Sequence, residues 1–246
     1  MTRWILLLAL LLLPSQGWAA ITLVGSVDTS ISVSDDTTLT GSWTSTTGTN
    51  SCLVVQVPQY NGSGTSAGTT GSWGGFTLTR ASGTPGGDYV GEIWVAALGA
   101  SHTGATNTLT INFSGNVYAL AIIQQFDGCN QATPTHDGTS TSSSTESGTA
   151  TLTLANLVTT DYMLGVVMKG DGSNVYTLGT ETQLAQLVHP GLTSRRALGM
   201  YRTGQTGSVA IDATFTSTFW GMGATALQEA AAGGAETFGF RRRLAP

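Results

Sequence analysis

The sequence predicts an all-β fold, a two-sheet antiparallel β-sandwich, and three observations support this prediction. Short runs in which Val, Ile, Leu, Thr and aromatic residues alternate recur between clusters of Gly, Asn, Asp and Ser. Helical periodicity is scarce after the N-terminal segment. Several runs, such as "LVVQV" and "ALAII", are apolar on both faces, which is typical of strands covered on two sides.

The alternating runs predict roughly ten to twelve strands. The clearer ones begin at Ser30, Cys52, Phe76, Glu92, Thr108, Tyr118, Thr149, Tyr162, Arg196, Ser208 and Trp220. Residues 61–75 and 128–148 are predicted to be long loops. The second contains "GTSTSSSTESGT", which has too little apolar area to offset the entropy of ordering, so we expect it to be exposed and mobile.

The two ends of the chain differ in composition from the middle. Residues 1–19 combine a positive start at Arg3, an apolar run and a small, polar stretch ending at Ala19, which is typical of a secretory signal peptide cleaved after Ala19. An uncleaved anchor is the alternative, although the apolar run is shorter than the about 20 residues that span a bilayer. Residues 229–246 are predicted to be a disordered tail, with a docking or sorting peptide as the alternative.

Composition predicts one globular domain over residues 20–228 and argues against some classes of partner. The chain has 246 residues, of which 40% are hydrophobic and 9% charged, with a net charge of −5. Arg241, Arg242 and Arg243 lie in the tail, so the globular part offers no basic surface for nucleic acid. We expect no stable membrane span after signal cleavage, and a secreted or cell-surface location.

The order of the sequence motifs resembles a known type of domain over about residues 38–228. The stretches that carry the resemblance are "CLVVQVPQYNGSG", "WGGFTLTRASG", "YVGEIWVAAL", "TLTINFSGNVYALAIIQQFDGCNQATP", "GTATLTLANLVTTDYMLGVV" and "GSVAIDATFTSTFWGMGATALQ". They look like the jelly-roll-type β-sandwich domain of secreted bacterial surface proteins and phage structural proteins. In that group a strand ends in an aromatic residue and Gly before a D/N-Q-x-T-P turn, matched here by Phe126, Gly128, Asn130, Gln131, Thr133 and Pro134. The resemblance implies adhesion, glycan binding or assembly.

The two cysteines, Cys52 and Cys129, stand at a strand start and just after a strand end. If those strands are antiparallel neighbours, the thiols meet at one end of the sandwich and form a disulfide; two free buried thiols are the alternative. An unprotected thiol in an exported protein would be oxidised, which argues against Cys129 as a nucleophile.

No metal site or cofactor is predicted, although structural calcium is an open alternative. His136 lies near Asp127 and Asp137, but the spacing of zinc motifs is missing. Loop carboxylates that could supply calcium ligands are Asp35, Asp36, Asp127, Asp137 and Asp171.

The chain is predicted not to be an enzyme. Glycoside hydrolysis needs two carboxyl groups about 5 to 9 Å apart. Glu92 is the most site-like acid, because few acids interrupt the strands, yet no carboxylate follows it at i+2 or i+4. A G-x-S-x-G elbow before a helix, as serine hydrolases require, is also missing.

Sugar recognition favours exposed aromatic faces beside hydrogen-bonding groups. Trp73 stands in "GSWGGF", where the glycines leave the ring little local cover, so exposure at a loop tip and burial are equally open. Tyr60, Asn61 and Tyr89 are candidate neighbours. Arg195 and Arg196, with His189 nearby in sequence, form a clustered cationic spot that could meet an acidic polysaccharide, with a solvated turn as the alternative.

These features predict an exported, non-enzymatic adhesion or glycan-binding module. The alternative is a structural subunit that assembles laterally through its sheet edges into a surface layer, filament or virion, which includes a homo-oligomer.

Overall fold

The computed structural model describes residues 20–62, 66–82, 86–142, 145–171 and 176–231, which form fifteen antiparallel strands and no helix. The strands are β1 (Thr22–Asp28), β2 (Ser32–Thr44), β3 (Gly48–Tyr60), β4 (Gly68–Trp73), β5 (Phe76–Arg80), β6 (Tyr89–His102), β7 (Thr106–Leu120), β8 (Ile122–Asp127), β9 (Thr135–Ser142), β10 (Ser147–Leu157), β11 (Tyr162–Lys169), β12 (Thr182–His189), β13 (Leu192–Thr203), β14 (Gly207–Thr218) and β15 (Trp220–Leu227). The predicted all-β class is confirmed. The predicted signal peptide and most of the predicted tail lie outside the described residues.

The first sheet has eight strands in the order β1-β8-β3-β6-β5-β4-β7-β2. Strand β3 also pairs with β7, where Tyr60 lies opposite Tyr118, so β3, β6, β5, β4 and β7 close into a barrel-like ring. A buried cluster that includes Trp43, Trp73 and Trp94 packs on the inner side of this ring. Closure therefore gives the first sheet a core of its own.

The second sheet has five strands in the order β12-β13-β11-β15-β9 and is covered on both faces. One face packs against β3, β6 and β8 through a cluster that includes Val54, Ile93, Phe126 and Leu164. The other face packs against a two-stranded sheet of β10 and β14. This layering explains why β11 and β15 are buried along their whole length.

Glycines let the two large sheets approach each other closely. A Cβ atom at Gly221 or Gly223 would collide with backbone atoms of Tyr89 or Gly91, and a Cβ atom at Gly91 would collide with backbone atoms of Val166. These positions need glycine because the facing backbones occupy the space of a side chain.

The disulfide predicted between Cys52 and Cys129 is confirmed. The two Cα atoms lie 6.1 Å apart and 77 positions apart in sequence, and both residues are buried between the two large sheets. Disulfides form and persist in oxidising compartments. The bond fixes the end of β8 to β3 inside the core.

Both predicted long loops contain a strand, so these two predictions are wrong in part. Strand β4 lies within 61–75 and pairs with β5 and β7. Strand β9 lies within 128–148 and pairs with β15 from Leu227↔Thr135 to Gly221↔Ser142. The Ser- and Thr-rich stretch lacks an apolar face of its own, and the neighbouring strand β15 supplies the pairing that orders β9.

Candidate functional site

Trp73 is buried, so the expectation that it could stand exposed at a loop tip is wrong. Its side chain has no solvent exposure. The ring packs 5.3 Å from Trp43, 5.9 Å from Phe76 and 6.0 Å from His102, and its Nε1 donates to the carbonyl of Trp43 at 3.3 Å. The glycines that follow it have positive φ and make the tight turn that folds β5 back over the ring. Trp73 is therefore not available to a ligand.

Four partly exposed side chains from distant parts of the sequence meet at the C-terminal end of β3. We call them the tyrosine–arginine patch: Tyr60, Tyr89, Tyr118 and Arg195. Tyr60 lies 5.0 Å from Tyr89 and 6.3 Å from Tyr118 between ring centroids. The guanidinium carbon of Arg195 lies 4.5 Å from the Tyr60 ring and 5.3 Å from the Tyr89 ring. The structure thus brings together three of the predicted ligand-binding residues.

The guanidinium of Arg195 is held in place by the backbone as well as by the rings. Its Nη1 donates to the carbonyl of Gly170 at 2.8 Å and to that of Ser194 at 3.3 Å. Burial raises the pKa of the Tyr89 phenol, while the nearby Arg195 charge lowers it in part. The patch therefore presents phenol rings beside a fixed cation, a combination suited to stacking on a sugar ring and pairing with its carboxylate.

Arg196 and His189 do not join Arg195 on one surface, so the predicted cationic spot is divided. Successive residues of a strand point to opposite faces, and Arg196 lies opposite Lys169 in the β11–β13 pairing. His189 is fully buried, bonds the carbonyl of Val33 through Nε2 at 3.0 Å, and accepts the Gly191 N–H at Nδ1. Burial lowers the pKa of His189, which disfavours its cationic form.

Asn61 lies beside the patch in sequence and is tied into the loop that follows Tyr60. Its backbone N–H donates to the carbonyl of Asp88 at 2.8 Å, and its Nδ2 donates to the carbonyl of Ser66 at 2.9 Å. The first bond joins the end of β3 to the start of β6, and the second joins Asn61 to the segment that leads into β4. The contacts that the structure gives Asn61 position Tyr60 and Tyr89.

Glu92 is fully buried, and its carboxylate is surrounded by donors rather than by a cleft. Oε1 accepts the Gly68 N–H at 3.0 Å and the Arg80 guanidinium at 3.2 Å, and Oε2 accepts the Trp94 indole N–H at 2.9 Å. Burial raises the pKa of Glu92, and these donors lower it in part. Glu92 links β4, β5 and β6, which gives this acid within a strand a structural role.

The turn after β8 is held together by its own side chains. Asp127 accepts the hydroxyl of Ser51 at 2.6 Å, and Asn130 Oδ1 accepts the N–H groups of Ala132 and Thr133. Gln131 accepts the Gly99 N–H at 2.8 Å. The residues that carry the sequence resemblance here have structural contacts.

Three of the acids considered for calcium, Asp35, Asp127 and Asp137, have separate partners. Asp35 bonds Asn116, Asp127 bonds Ser51, and Asp137 accepts the backbone N–H of Ala155. Within the described ranges no three His, Cys, Asp or Glu side chains group as metal ligands. His136 instead pairs with Asp161 through Nε2 at 2.8 Å, a contact that the sequence spacing does not reveal.

A separate cleft of about 460 Å³ lies between β1 and β2. Its lining includes several Ser and Thr hydroxyls, Asp28, and Trp43, which is 5% exposed. Among its described lining residues there is no cation and no exposed aromatic face. It has less of the chemistry of sugar recognition than the tyrosine–arginine patch.

The antiparallel sheets and the barrel-like ring place the chain in the β-sandwich and barrel class. Comparisons with protein-family models, curated proteins and solved structures found no match. The described parts of the chain include no helix with the length and hydropathy needed to cross a membrane.

Proposed function

We propose that the chain is an exported, non-enzymatic β-sandwich that acts as a surface adhesion or glycan-binding module, with the tyrosine–arginine patch as its contact surface for acidic sugars. The observation that carries the proposal is the placement of the Arg195 guanidinium against both the Tyr60 and the Tyr89 ring. The guanidinium is already fixed by Gly170, so little side-chain entropy remains to be lost on binding. The disulfide and the signal-like N-terminus support export.

A binding assay with acidic and neutral polysaccharides tests this proposal. We expect binding to an acidic polysaccharide that weakens at high salt, because the Arg195 charge contributes to it. Arg195→Gln and Tyr89→Ala should each reduce affinity by about tenfold, the equivalent of about 1.4 kcal/mol.

Arg202→Gln is the matched control, because Arg202 is a cation on the same strand, at its far end, where it faces Glu181 at 3.7 Å. The proposal fails if Arg195→Gln and Arg202→Gln weaken binding equally, or if the wild-type chain binds none of the polysaccharides. Thermal unfolding of each variant separates loss of contact from loss of fold.

The alternative function, a self-assembling structural subunit, is favoured by a sheet edge. Strand β12 is the terminal strand of the second sheet, and Val188 on it is 41% exposed. An edge strand with exposed apolar residues is a template for pairing with another chain. Sedimentation at increasing concentration should then show oligomers that Val188→Lys disperses, without any requirement for a glycan.

A further inference from the structure

A small cavity lies where the turn after β8, the turn between β10 and β11, and the end of β15 meet. Its volume is about 170 Å³, and five of its seven lining residues carry a side-chain oxygen. The residues used below are Asn130, Thr160, Asp161, Gln228 and Glu229. The cavity lies at the disulfide-bearing end of the domain, because Cys129 forms a backbone bridge with Glu229.

Glu229 contributes a buried carboxylate that has no counterion among the described residues. The residue is 8% exposed, and neither carboxylate oxygen has a hydrogen-bond partner among the described residues. Its backbone is fixed, because the next residue, Ala230, donates its N–H to the carbonyl of Gly128 at 2.7 Å. A buried, unpaired carboxylate lowers the stability of the fold, so a cation bound beside it would be stabilising.

Asp161 adds a second carboxylate to the same cavity. It is 3% exposed, and its Oδ2 accepts from His136 Nε2 and from the Val158 N–H, both at 2.8 Å. Among the described contacts both bonds end on Oδ2, so Oδ1 is the oxygen left for a ligand. The His136 contact and the Val158 N–H hold the carboxylate in place.

The neighbouring side chains also carry oxygen atoms that can act as ligands of a cation. Gln228 Oε1 accepts the Thr133 hydroxyl at 3.0 Å, and Asn130 Oδ1 caps the turn. Thr160, whose side chain carries a hydroxyl, also lines the cavity. Oxygen ligands are those that Ca²⁺ prefers, whereas Zn²⁺ prefers nitrogen and sulfur.

We propose that this cavity, lined by Asp161 and Glu229, binds a divalent cation of the calcium type. Two carboxylates supply the charge, and the adjacent oxygens with water complete the six to eight ligands that Ca²⁺ takes. With only two carboxylates the affinity belongs to the weak range of extracellular modules, about 10⁻⁴ to 10⁻³ M. A bound ion would tie the end of β15 to the β10–β11 turn.

Thermal unfolding of the full chain after treatment with a chelator tests the proposal. CaCl₂ at tenfold its Kd should raise Tm by about 3 to 6 °C, and NaCl of equal ionic strength should not. Glu229→Gln should remove this response and also raise Tm without calcium, because it deletes an unpaired buried charge. Glu146→Gln, at an exposed acid, should change neither quantity.

Two outcomes would overturn the proposal. The first is a Tm that does not respond to calcium, together with a Glu229→Gln variant no more stable than the wild-type chain. The second is a chain whose Tm does not respond to calcium and falls when Arg241, Arg242 and Arg243 are all changed to Gln. That result would mean that the arginines of the tail neutralise Glu229. Isothermal titration with CaCl₂ measures binding independently of stability.

Discussion

The two ends of the β3–β6 pair carry aromatic clusters of opposite character. At the end where Gly48 pairs with His102, Trp73 packs among Trp43 and Phe76 without solvent exposure. At the other end Tyr60 pairs with Tyr89, and their rings stay partly exposed beside Arg195.

The difference arises from what covers each cluster. The β4–β5 hairpin folds over the first end, and its indole N–H finds a backbone carbonyl, so the tryptophan can be fully buried. At the second end the tyrosines lie over a smaller cluster of Leu120, Met168 and Ala197. Phenol and guanidinium groups there remain partly exposed, so a buried and a partly exposed aromatic cluster are separated along one strand pair.

The largest expected effect is at the covered end. Trp73→Ala should lower the free energy of unfolding by about 3 to 5 kcal/mol, because it leaves a cavity in the core. Tyr60→Ala should cost less than about 2 kcal/mol, since that ring is already partly exposed. Urea denaturation of both variants measures the contrast, and equal losses would contradict it.

Glu92→Gln should cause the next largest loss in the free energy of unfolding, about 2 to 4 kcal/mol. An amide cannot accept hydrogen bonds from Gly68, Arg80 and Trp94 together. Chemical denaturation checks this, with the exposed Glu146→Gln as the control. A Glu92→Gln variant as stable as the wild-type chain would show that the carboxylate is not what joins these strands.

Lys169 is a buried cation, which can be compared with the buried carboxylate of Glu92. It is fully buried, its Nζ has no hydrogen-bond partner among the described residues, and the Tyr176 and Phe215 rings lie 5.2 and 5.5 Å away. Burial lowers the pKa of Lys169, so its charged form costs folding energy at neutral pH. Lys169→Met should therefore raise the free energy of unfolding by about 1 to 2 kcal/mol.

The gain in the free energy of unfolding from Lys169→Met should decrease as the pH rises. The unfolded chain binds the Lys169 proton up to its ordinary pKa of 10.5, whereas the folded chain releases it at a lower pH. Wild-type stability should rise with pH across that window, so the advantage of Met is largest below the window and smallest above it. Denaturation between neutral pH and pH 11 measures this, and a constant difference would contradict it.

The smallest expected effect is Arg195→Lys. The charge is kept while the planar contact with the Tyr60 and Tyr89 rings is lost. We expect a change within about 0.5 kcal/mol in the free energy of unfolding and a several-fold loss of affinity for acidic polysaccharide. A variant that keeps full affinity would mean that charge alone matters at the patch.

Much of the fold could be predicted from the sequence, because strand formation depends on local alternation and on turn residues. The two-sided apolar run that begins at Leu53 predicts a doubly covered strand, and β3 is buried along that run. Strand β9 was missed because its Ser and Thr residues carry no apolar signal, and strand β15 supplies its order.

Candidate site residues were harder to predict, since side-chain exposure depends on what lies above a residue. The glycines beside Trp73 suggested an open ring, yet they form the turn that closes over it. Tyr118 was missed as a member of the patch because it lies inside a predicted apolar strand, and only the β3–β7 pairing places it beside Tyr60.

The sequence by itself determined the all-β class, through its alternating runs, and a pair of cysteines close enough in predicted placement to be joined. Tertiary structure alone decided which aromatic rings are buried, that Arg195 stands against Tyr60 and Tyr89, and that Glu229 shares a cavity with Asp161. The physical reason is that strand propensity acts between neighbours in sequence, whereas burial and charge pairing act between residues that only the folded sheets bring together.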